Sequence, residues 1–278
     1  GTGVYADAAG NFSGTPGTST LAGKYVKIAD SCGSVSKASD AGGLIDFGAS
    51  AGTDCTTPGS GGAGNTHASR TQYWNVTQIK MKAMTYLPAN TWLQGQVTDN
   101  VDLSQTCNAY WDGSSLNFFK SGGGCGNTGE LPGVSLHEWG HGMDSNDGNG
   151  SSPDNGTGET YGDTTALLQT HQSCLGGGFF ASLSRGCGLE PDGSGYNCSG
   201  YGNCCTSCSG VRDVDYQKHA NATPAALAFA KGCPRSSNYK GPCGREGHCE
   251  SYVSTEANWD LATRDLVTWG LDATTAWQ

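Results

Sequence analysis

The sequence contains little charge and few cations. Only 14% of its 278 residues are charged, and 25 acidic against 15 basic side chains give a formal net charge of −10. Nucleic-acid binding requires clustered cations that replace phosphate counterions, and anionic membranes attract similar clusters. Because no such cluster occurs in the sequence, neither a nucleic acid nor an anionic membrane surface is an expected partner.

Long hydrophobic runs are also missing. The longest apolar run in the C-terminal half, Ala225–Ala230, is far shorter than the roughly 20 residues that span a bilayer. The sequence begins at Gly1 without the pattern of a signal peptide. We therefore expect no membrane span, and we expect a processed or trimmed chain.

Cysteine, in contrast, is abundant. Thirteen cysteines in a chain rich in Ser, Thr and Gly indicate disulfides, and hence a secreted or cell-surface protein. Cys32 and Cys55 flank a candidate strand and are expected to pair with each other. The short cluster Cys204–Cys208, with Cys198 nearby, resembles part of a structural zinc site, but the composition favours disulfides there too. The odd number leaves one thiol free or paired outside the chain.

The spacing of apolar and turn residues predicts an α+β protein. Leu21–Ile28 and Leu44–Phe47 are candidate strands. Residues Cys107–Phe119 are typical of a hairpin that turns at Asp112-Gly113. The predicted helices cover residues 66–86, about 158–172, 224–231 and 248–269, with one more that starts near Leu131. The first of these helices is expected to be largely buried.

One segment carries the most specific chemistry, His137-Glu138-Trp139-Gly140-His141. Residues i and i+4 lie on one face of a helix, so both imidazoles can bind one metal ion. Zinc suits this arrangement, because imidazole and carboxylate are its usual ligands at catalytic sites. Glu138 is offset by one residue, so it can take a proton from a zinc-bound water that attacks a carbonyl. Gly140 lowers helix stability and indicates a close backbone approach at this site.

A third ligand is needed, and two acidic residues compete for the role. Glu159 lies 18 residues after His141, and Asp147 lies six residues after it. Asp147 would fit zinc proteases that take a third ligand from a tight turn, but that layout has glycine where this chain has Asp144. Glu159 is favoured. Asp163, four residues later on the same predicted helix, can accept a hydrogen bond from the far nitrogen of a ligating histidine.

The pattern His137–His141 followed by Glu159-x-x-x-Asp163 resembles the gluzincin metalloproteases of the thermolysin and fungalysin type. The resemblance implies a two-lobed α+β fold with the zinc helix between the lobes. A β-rich N-terminal lobe would cover residues 1–147, and a mainly helical C-terminal lobe would cover residues 148–278. It also implies a peptide or protein substrate and a propeptide that is cleaved.

The segment Asn108-Ala109-Tyr110-Trp111 resembles the edge strand on which this family binds its substrate. An open strand edge can hydrogen-bond an extended peptide, which gives the resemblance a physical basis. By resemblance, Asn108 and Ala109 bind the peptide main chain and Tyr110 lies at the same subsite. An ordinary hairpin, with packed Tyr110 and Trp111 rings, is the alternative.

The family also has a histidine at the start of a later helix, which stabilises the oxyanion. His248 resembles that residue, and His219 is the alternative. Cys243 occupies the position of the aspartate that orients this histidine in the family. Three acidic residues are open as substitutes: Glu246, Glu250 and Asp260. The family's tyrosine before the third ligand is absent as well, and Arg245 and Tyr161 are open as further donors.

These observations predict a secreted zinc endopeptidase in which Glu138 activates water and His248 stabilises the oxyanion. The alternative is a non-catalytic extracellular surface protein that is stabilised by its metal. Glu138 argues against the alternative, because a scaffold needs no base beside the zinc. The loop Asp144–Gly150 resembles an oxygen-rich calcium loop without the spacing of an EF-hand, so Ca²⁺ and a solvated turn both stay open there.

Overall fold

The computed structural model describes residues 17–40, 45–180, 208–219 and 222–277. The chain divides into two compact units, Gly1–Ser135 and Leu136–Gln278. Each contains helices and strands, which agrees with the predicted α+β class. The predicted lobe boundary after residue 147 and the roles of the two lobes stay predictions.

A four-stranded mixed sheet organises the first unit. Within the described residues, the strands of this unit are β1 (Thr18–Ser19), β2 (Val26–Asp30), β3 (Lys37–Ala38), β4 (Val97–Leu103), β5 (Ala109–Trp111) and β6 (Ser115–Phe119). The sheet has the spatial order β2-β4-β6-β5, and β1 pairs with β3 separately. The β2, β4 and β6 strands run parallel, whereas β5 is antiparallel to β6. Its buried apolar side chains include Val26, Val97, Val101, Leu116 and Phe118.

The predicted hairpin is confirmed. The β5 and β6 strands pair across a turn in which Gly113 has a φ of 94°. The Asp112 carboxylate accepts hydrogen bonds from the backbone N–H groups of Ser114 at 2.8 Å and Ser115 at 2.6 Å. In the described part of the chain, β5 has a partner strand on one side only and lies at the edge of the sheet.

The predictions of two strands near the N-terminus, Leu21–Ile28 and Leu44–Phe47, are wrong in part. Only Val26–Ile28 of the first belongs to a strand, because Leu21 has a left-handed φ of 53° that interrupts extended backbone. In the second, Ile45–Phe47 is irregular and Leu44 lies outside the described residues. Side chains take the place of a neighbouring strand there: the Phe47 carbonyl accepts hydrogen bonds from Asn65 and Arg70.

The predicted long helix is confirmed as α1 (His67–Tyr86), which is followed by the single turn α2 (Thr91–Gln94). Thr66 caps α1, since its side chain accepts a hydrogen bond from the backbone of Ser69. The prediction that this helix is largely buried is wrong in part, because six of its 20 residues are buried and three of those six are polar. Gln72 and Lys80 are fully buried, whereas Trp74 is 59% exposed.

These buried polar groups all have partners. The Lys80 ammonium donates to the carbonyls of Trp92 and Gly95, each at 2.9 Å. The Gln72 amide donates to Gly129 and accepts from Ser135. Because hydrogen bonds offset the cost of burying polar groups, the helix can pack without a continuous apolar face.

The second unit is mainly helical. Its described elements are α3 (Pro132–Asn146), which begins in the first unit, α4 (Asn155–Thr170), β7 (Cys174–Leu175), β8 (Arg212–Asp213), α5 (Leu227–Gly232), α6 (Gly247–Asp260), α7 (Leu266–Thr268) and α8 (Ala273–Ala276). The predicted helices are all present. The last one is interrupted, because a π-helical turn over Leu261–Asp265 separates α6 from α7. Leu167, Val214 and Trp259 form one part of the core of this unit.

Four disulfides lie within the described residues: Cys32–Cys55, Cys107–Cys125, Cys174–Cys208 and Cys233–Cys249. The predicted pairing of Cys32 with Cys55 is therefore confirmed. Cys208 of the Cys204–Cys208 cluster is disulfide-bonded, while Cys198, Cys204 and Cys205 lie outside the described residues. Cys243 is a free, exposed thiol. None of the described helices combines the length and apolar character needed to cross a membrane.

Asp99 is a buried carboxyl in the sheet of the first unit, and its burial should affect how stability depends on pH. It is fully buried in β4, and neither carboxylate oxygen has a hydrogen-bond partner among the described residues. Burial raises the pKa of this carboxyl well above its ordinary value of 3.8. The folded state then keeps a proton that the unfolded chain loses, so Asp99 makes stability fall as pH rises above about 4.

We expect Asp99→Asn to remove this pH dependence. The difference in unfolding free energy between variant and wild type should grow by up to about 1.4 kcal/mol for each pH unit above about 4, until the raised pKa is reached. Urea unfolding at about pH 4 and about pH 7 measures this difference. Asp112→Asn is the control. Hydrogen bonds from Ser115 and Ser114 outweigh burial and hold the pKa of Asp112 below its ordinary value. The effect of Asp112→Asn on the unfolding free energy should therefore be constant between about pH 4 and about pH 7.

Candidate metal centre

Three potential metal ligands meet in the second unit. His137 and His141 lie one turn apart on α3, and Glu159 lies on α4. The two Nε2 atoms are 3.1 Å apart, and they lie 3.3 Å and 3.4 Å from the Oε2 and Oε1 atoms of Glu159, respectively. Ligands at about 2.0–2.1 Å from a tetrahedral zinc ion stand roughly 3.3–3.4 Å from one another. The three side chains therefore lie close enough together to bind one metal ion.

Two glycines allow the two helices to approach. A Cβ atom on Gly140 would lie 2.8 Å from the Cα atom of Gly162, and a Cβ atom on Gly162 would lie 2.9 Å from the His137 ring. Real Cβ contacts are almost never this short. The close approach that Gly140 indicated in the sequence is thus present between α3 and α4, and any larger residue at either position would separate the ligands.

Asp163 holds the outer side of the His137 ring. Its Oδ1 atom is 2.8 Å from His137 Nδ1, on the opposite side of the ring from the potential metal position. Asp163 is one helical turn after Glu159, so both carboxylates project from the same face of α4. An outer contact of this kind fixes the orientation of a ligating imidazole, and this role of Asp163 stays a prediction.

Arg212 is a member of the site that sequence reasoning missed. It lies on β8, and its guanidinium donates to Asp163 Oδ2 at 2.7 Å, to Asp163 Oδ1 at 2.5 Å and to Glu159 Oε2 at 3.2 Å. All three side chains are buried. No motif surrounds Arg212 in the sequence. The need for a cation beside two buried carboxylates was the only available signal.

His248 and Tyr239 lie against the same carboxylate. His248 Nε2 is 3.3 Å from Glu159 Oε1, and the Tyr239 hydroxyl donates a hydrogen bond to that oxygen. The Tyr239 and His248 rings stack with centroids 4.9 Å apart. The Nδ1 atom of His248 is 2.7 Å from Glu246 Oε1. Of the three acidic residues that were open as its partner, the structure therefore brings Glu246 to His248.

The charges at this site are strongly coupled. Burial alone opposes the charged form of Glu159, but the positive charges of His248 and His137 hold the pKa of this carboxyl well below its ordinary value. Burial likewise opposes a proton on His137, but Glu159 and Asp163 outweigh it and raise the pKa of His137 to about 10. A metal ion at this position would compete with the proton for the His137 nitrogen, while the same negative charges would favour either cation.

Comparison with models of known protein families and with curated proteins finds no match. The donor set is thus the main guide to the ion. Two imidazoles and one carboxylate suit zinc, and other first-row metals accept the same ligands. The site could hold such an ion through His137, His141 and Glu159.

Several predicted alternatives lie elsewhere. Asp147 is not in the ligand group; its carboxylate accepts a hydrogen bond from the backbone of Asn149. His219 is buried with its Nδ1 atom 3.6 Å from Glu256. Burial, together with the charges of Asp147 and Asp144, raises the pKa of Tyr161.

The remaining open candidates are also engaged elsewhere. Glu250 accepts hydrogen bonds from the backbone of Cys243 and Arg245, and Asp260 pairs with Arg264. In the loop predicted to resemble a calcium site, Asp144 accepts hydrogen bonds from Ser152. The residues of this loop do not form a ligand group in the described part of the chain.

The proposed substrate strand belongs to the first unit. Ala109 and Tyr110 lie on the edge strand β5, with Ala109 buried and Tyr110 exposed. Asn108 precedes the strand, and its carbonyl accepts a hydrogen bond from the Thr128 hydroxyl. The edge position agrees with the predicted geometry, while the binding roles of these residues stay predictions.

Arg212→Lys tests whether the guanidinium orients the ligands. Lysine keeps the positive charge but loses the bidentate contact with Asp163, so we expect zinc affinity to fall about 10-fold or more. Competition with a fluorescent zinc chelator measures the affinity. Arg264→Lys is the matched control, because Arg264 pairs with Asp215 and Asp260 instead. Unchanged zinc affinity in a folded Arg212→Lys protein would contradict a positioning role.

Proposed function

We propose that this chain is a secreted zinc endopeptidase with a gluzincin-like catalytic site and a two-lobed fold. The observation that carries the proposal is the close grouping of His137, His141 and Glu159, with Glu138 next to the first ligand on the same helix. A purely structural zinc site is usually closed by four protein ligands. The described residues supply three, which leaves a fourth position for water or substrate.

Glu138 is the proposed base. A zinc ion held by His137, His141 and Glu159 would supply Lewis acidity for the carbonyl and would lower the pKa of a nearby water. Glu138 is buried beside the ligands, and its charge contributes to the raised pKa of Tyr239. From this position it would accept a proton from the attacking water and deliver that proton to the leaving amine.

His248 and Tyr239 are the proposed donors to the oxyanion. Glu246 holds Nδ1 of His248 and leaves Nε2 directed toward the ligand carboxylate, and the side chain is 41% exposed. Burial and the Glu159 charge raise the pKa of Tyr239, so the phenol keeps the proton that it would donate. Tyr239 thereby supplies the donor for which the sequence provided no clear candidate. Preorganised donors of this kind stabilise the negative charge that develops during carbonyl attack.

The edge strand and the disulfides support the rest of the proposal. An extended peptide could add to the free side of β5 through main-chain hydrogen bonds, with Asn108, Ala109 and Tyr110 as the contacting residues. Four disulfides are typical of an oxidising compartment. A peptide or protein substrate, a cleaved propeptide and secretion follow from the same proposal.

The decisive experiment compares the wild type with Glu138→Gln. We expect the variant to keep its zinc, because Glu138 is not a ligand, and to cleave a denatured protein at least about 100-fold more slowly. Peptide release and zinc content are measured on both proteins. Asp272→Asn, which changes an exposed cap of α8, should behave like the wild type. If both proteins bind zinc and neither cleaves a broad panel, the chain is better described as a metal-stabilised surface protein.

A second experiment tests the oxyanion donors. Tyr239→Phe and His248→Gln should each lower kcat by about 100-fold or more, with a smaller effect on KM, because each removes a donor used mainly in the transition state. Zinc content is measured in parallel, since Tyr239 also contacts a ligand. Tyr86→Phe, at an exposed position on α1, is the control. A normal kcat in zinc-loaded Tyr239→Phe would exclude Tyr239 as a donor.

A further inference from the structure

A second group of acidic side chains lies in the first unit, apart from the residues of the zinc site. Asp30 ends β2, Asp54 lies in a short helical turn, and Asp102 lies in β4 where the pairing register shifts. The disulfide Cys32–Cys55 joins the segments that carry Asp30 and Asp54. Ligand atoms of Asp30, Asp102 and the two cysteines all lie within 4.8 Å of one another.

Neutral donors satisfy most of these carboxylate oxygens. Asp30 accepts hydrogen bonds from the Cys32 backbone at 2.7 Å and from the hydroxyls of Thr66 and Ser69 at 2.7 Å and 2.6 Å. The Asn127 amide donates to Asp54 Oδ1 at 2.8 Å and to Asp102 Oδ1 at 2.6 Å. These contacts hold the three carboxylates in place without neutralising them.

One oxygen has no partner. Asp102 is only 5% exposed, and its Oδ2 atom is buried without a hydrogen bond among the described residues. The Thr66 hydroxyl donates to Asp30 at 2.7 Å, and it lowers the pKa of Asp102 without forming a hydrogen bond to Oδ2. Burial, together with the nearby charge of Asp30, raises the pKa of Asp102 to about 6. Unpaired buried carboxylates are costly, so a positive charge in this position would stabilise the fold.

The chain itself does not supply that charge in its described residues. None of the ion pairs found there includes Asp30, Asp54 or Asp102. Lys120 acts on Asp54 through its charge and lowers the pKa of that carboxyl. A cation from solution is therefore the remaining way to compensate the group.

The donor set selects the kind of cation. The available ligands are carboxylate oxygens, and the neighbouring sulfur atoms are tied up in a disulfide, so thiolate-binding metals have no advantage. Ca²⁺ prefers oxygen ligands and tolerates irregular geometry, whereas Mg²⁺ requires a near-octahedral shell. We propose that Asp30 and Asp102 bind a structural calcium ion in the first unit. Asp54, which shares the hydrogen-bond donor Asn127 with Asp102, adds negative charge beside this ion. This site is distinct from the loop Asp144–Gly150 that the sequence suggested.

The test measures calcium binding to the zinc-saturated chain. Calorimetric titration and thermal unfolding are its two readouts. We expect one saturable site, and a rise in the unfolding midpoint of roughly 5 °C or more when calcium exceeds its dissociation constant about 100-fold. Neither readout depends on peptide cleavage. Failure of the calcium site can therefore be distinguished from failure of the proposed function.

Charge-matched variants locate the site. Asp102→Asn keeps an oxygen for Asn127 but loses the buried charge, and Asp30→Asn removes the second ligand. We expect each to weaken calcium binding at least about 10-fold, because ligand charge sets the affinity of calcium sites. Asp46→Asn changes an exposed aspartate of the same unit and should bind calcium like the wild type.

Three results would overturn the proposal. The first is no saturable binding by the wild type at roughly millimolar calcium, the weak end of extracellular sites. The second is unchanged binding by folded Asp102→Asn and Asp30→Asn. The third is a second zinc ion that binds to this group, in place of calcium, only after Cys32–Cys55 is reduced, since thiolates would then be the ligands.

Discussion

The second unit depends on the compensation of two buried carboxylates. Glu159 and Asp163 project from one face of α4 into a region without access to water. Arg212 neutralises part of their charge, and the His137 ring lies between them. Buried charges of this kind are stable only with well-placed partners. The same requirement that holds α3, α4 and β8 together therefore also builds a site for a cation.

The glycines show how closely packing and chemistry are linked here. Glycine lowers helix stability by up to about 1 kcal/mol relative to alanine, so Gly140 and Gly162 need a compensating reason. They permit the helix approach that brings Glu159 within reach of both imidazoles. The local loss of helix stability is offset by contacts that form only when the two helices meet.

The first unit shows the same physics with a different outcome. Gln72 and Lys80 are buried and hydrogen-bonded, so they strengthen the packing of α1. Asp99 and Asp102 are buried with oxygens that lack partners in the described residues. Burial raises the pKa of both. Asp99 stands alone in the sheet and is best accommodated by a proton, whereas Asp102 has further carboxylates beside it and suits a shared cation.

Sequence alone determined the local features of this protein. Helical spacing located α1 and α3, the Asp112-Gly113 turn located the hairpin, and the i, i+4 spacings placed His137 with His141 and Glu159 with Asp163. These features depend on backbone geometry over a few residues, so short patterns carry them. Strands near the N-terminus were harder to predict, because the side chains of Asn65 and Arg70 replace a pairing strand.

The distant residues that complete the sites are brought together by folding. Arg212, Tyr239 and Glu246 are 53 to 87 residues away from Glu159 in the chain, and nothing in their local sequence distinguishes them. The same holds for Asp30 and Asp102, which meet because β2 and β4 pair in parallel. Such contacts arise from packing and from the electrostatic cost of unpaired buried charge. These are properties of the folded chain as a whole, and no short segment encodes them.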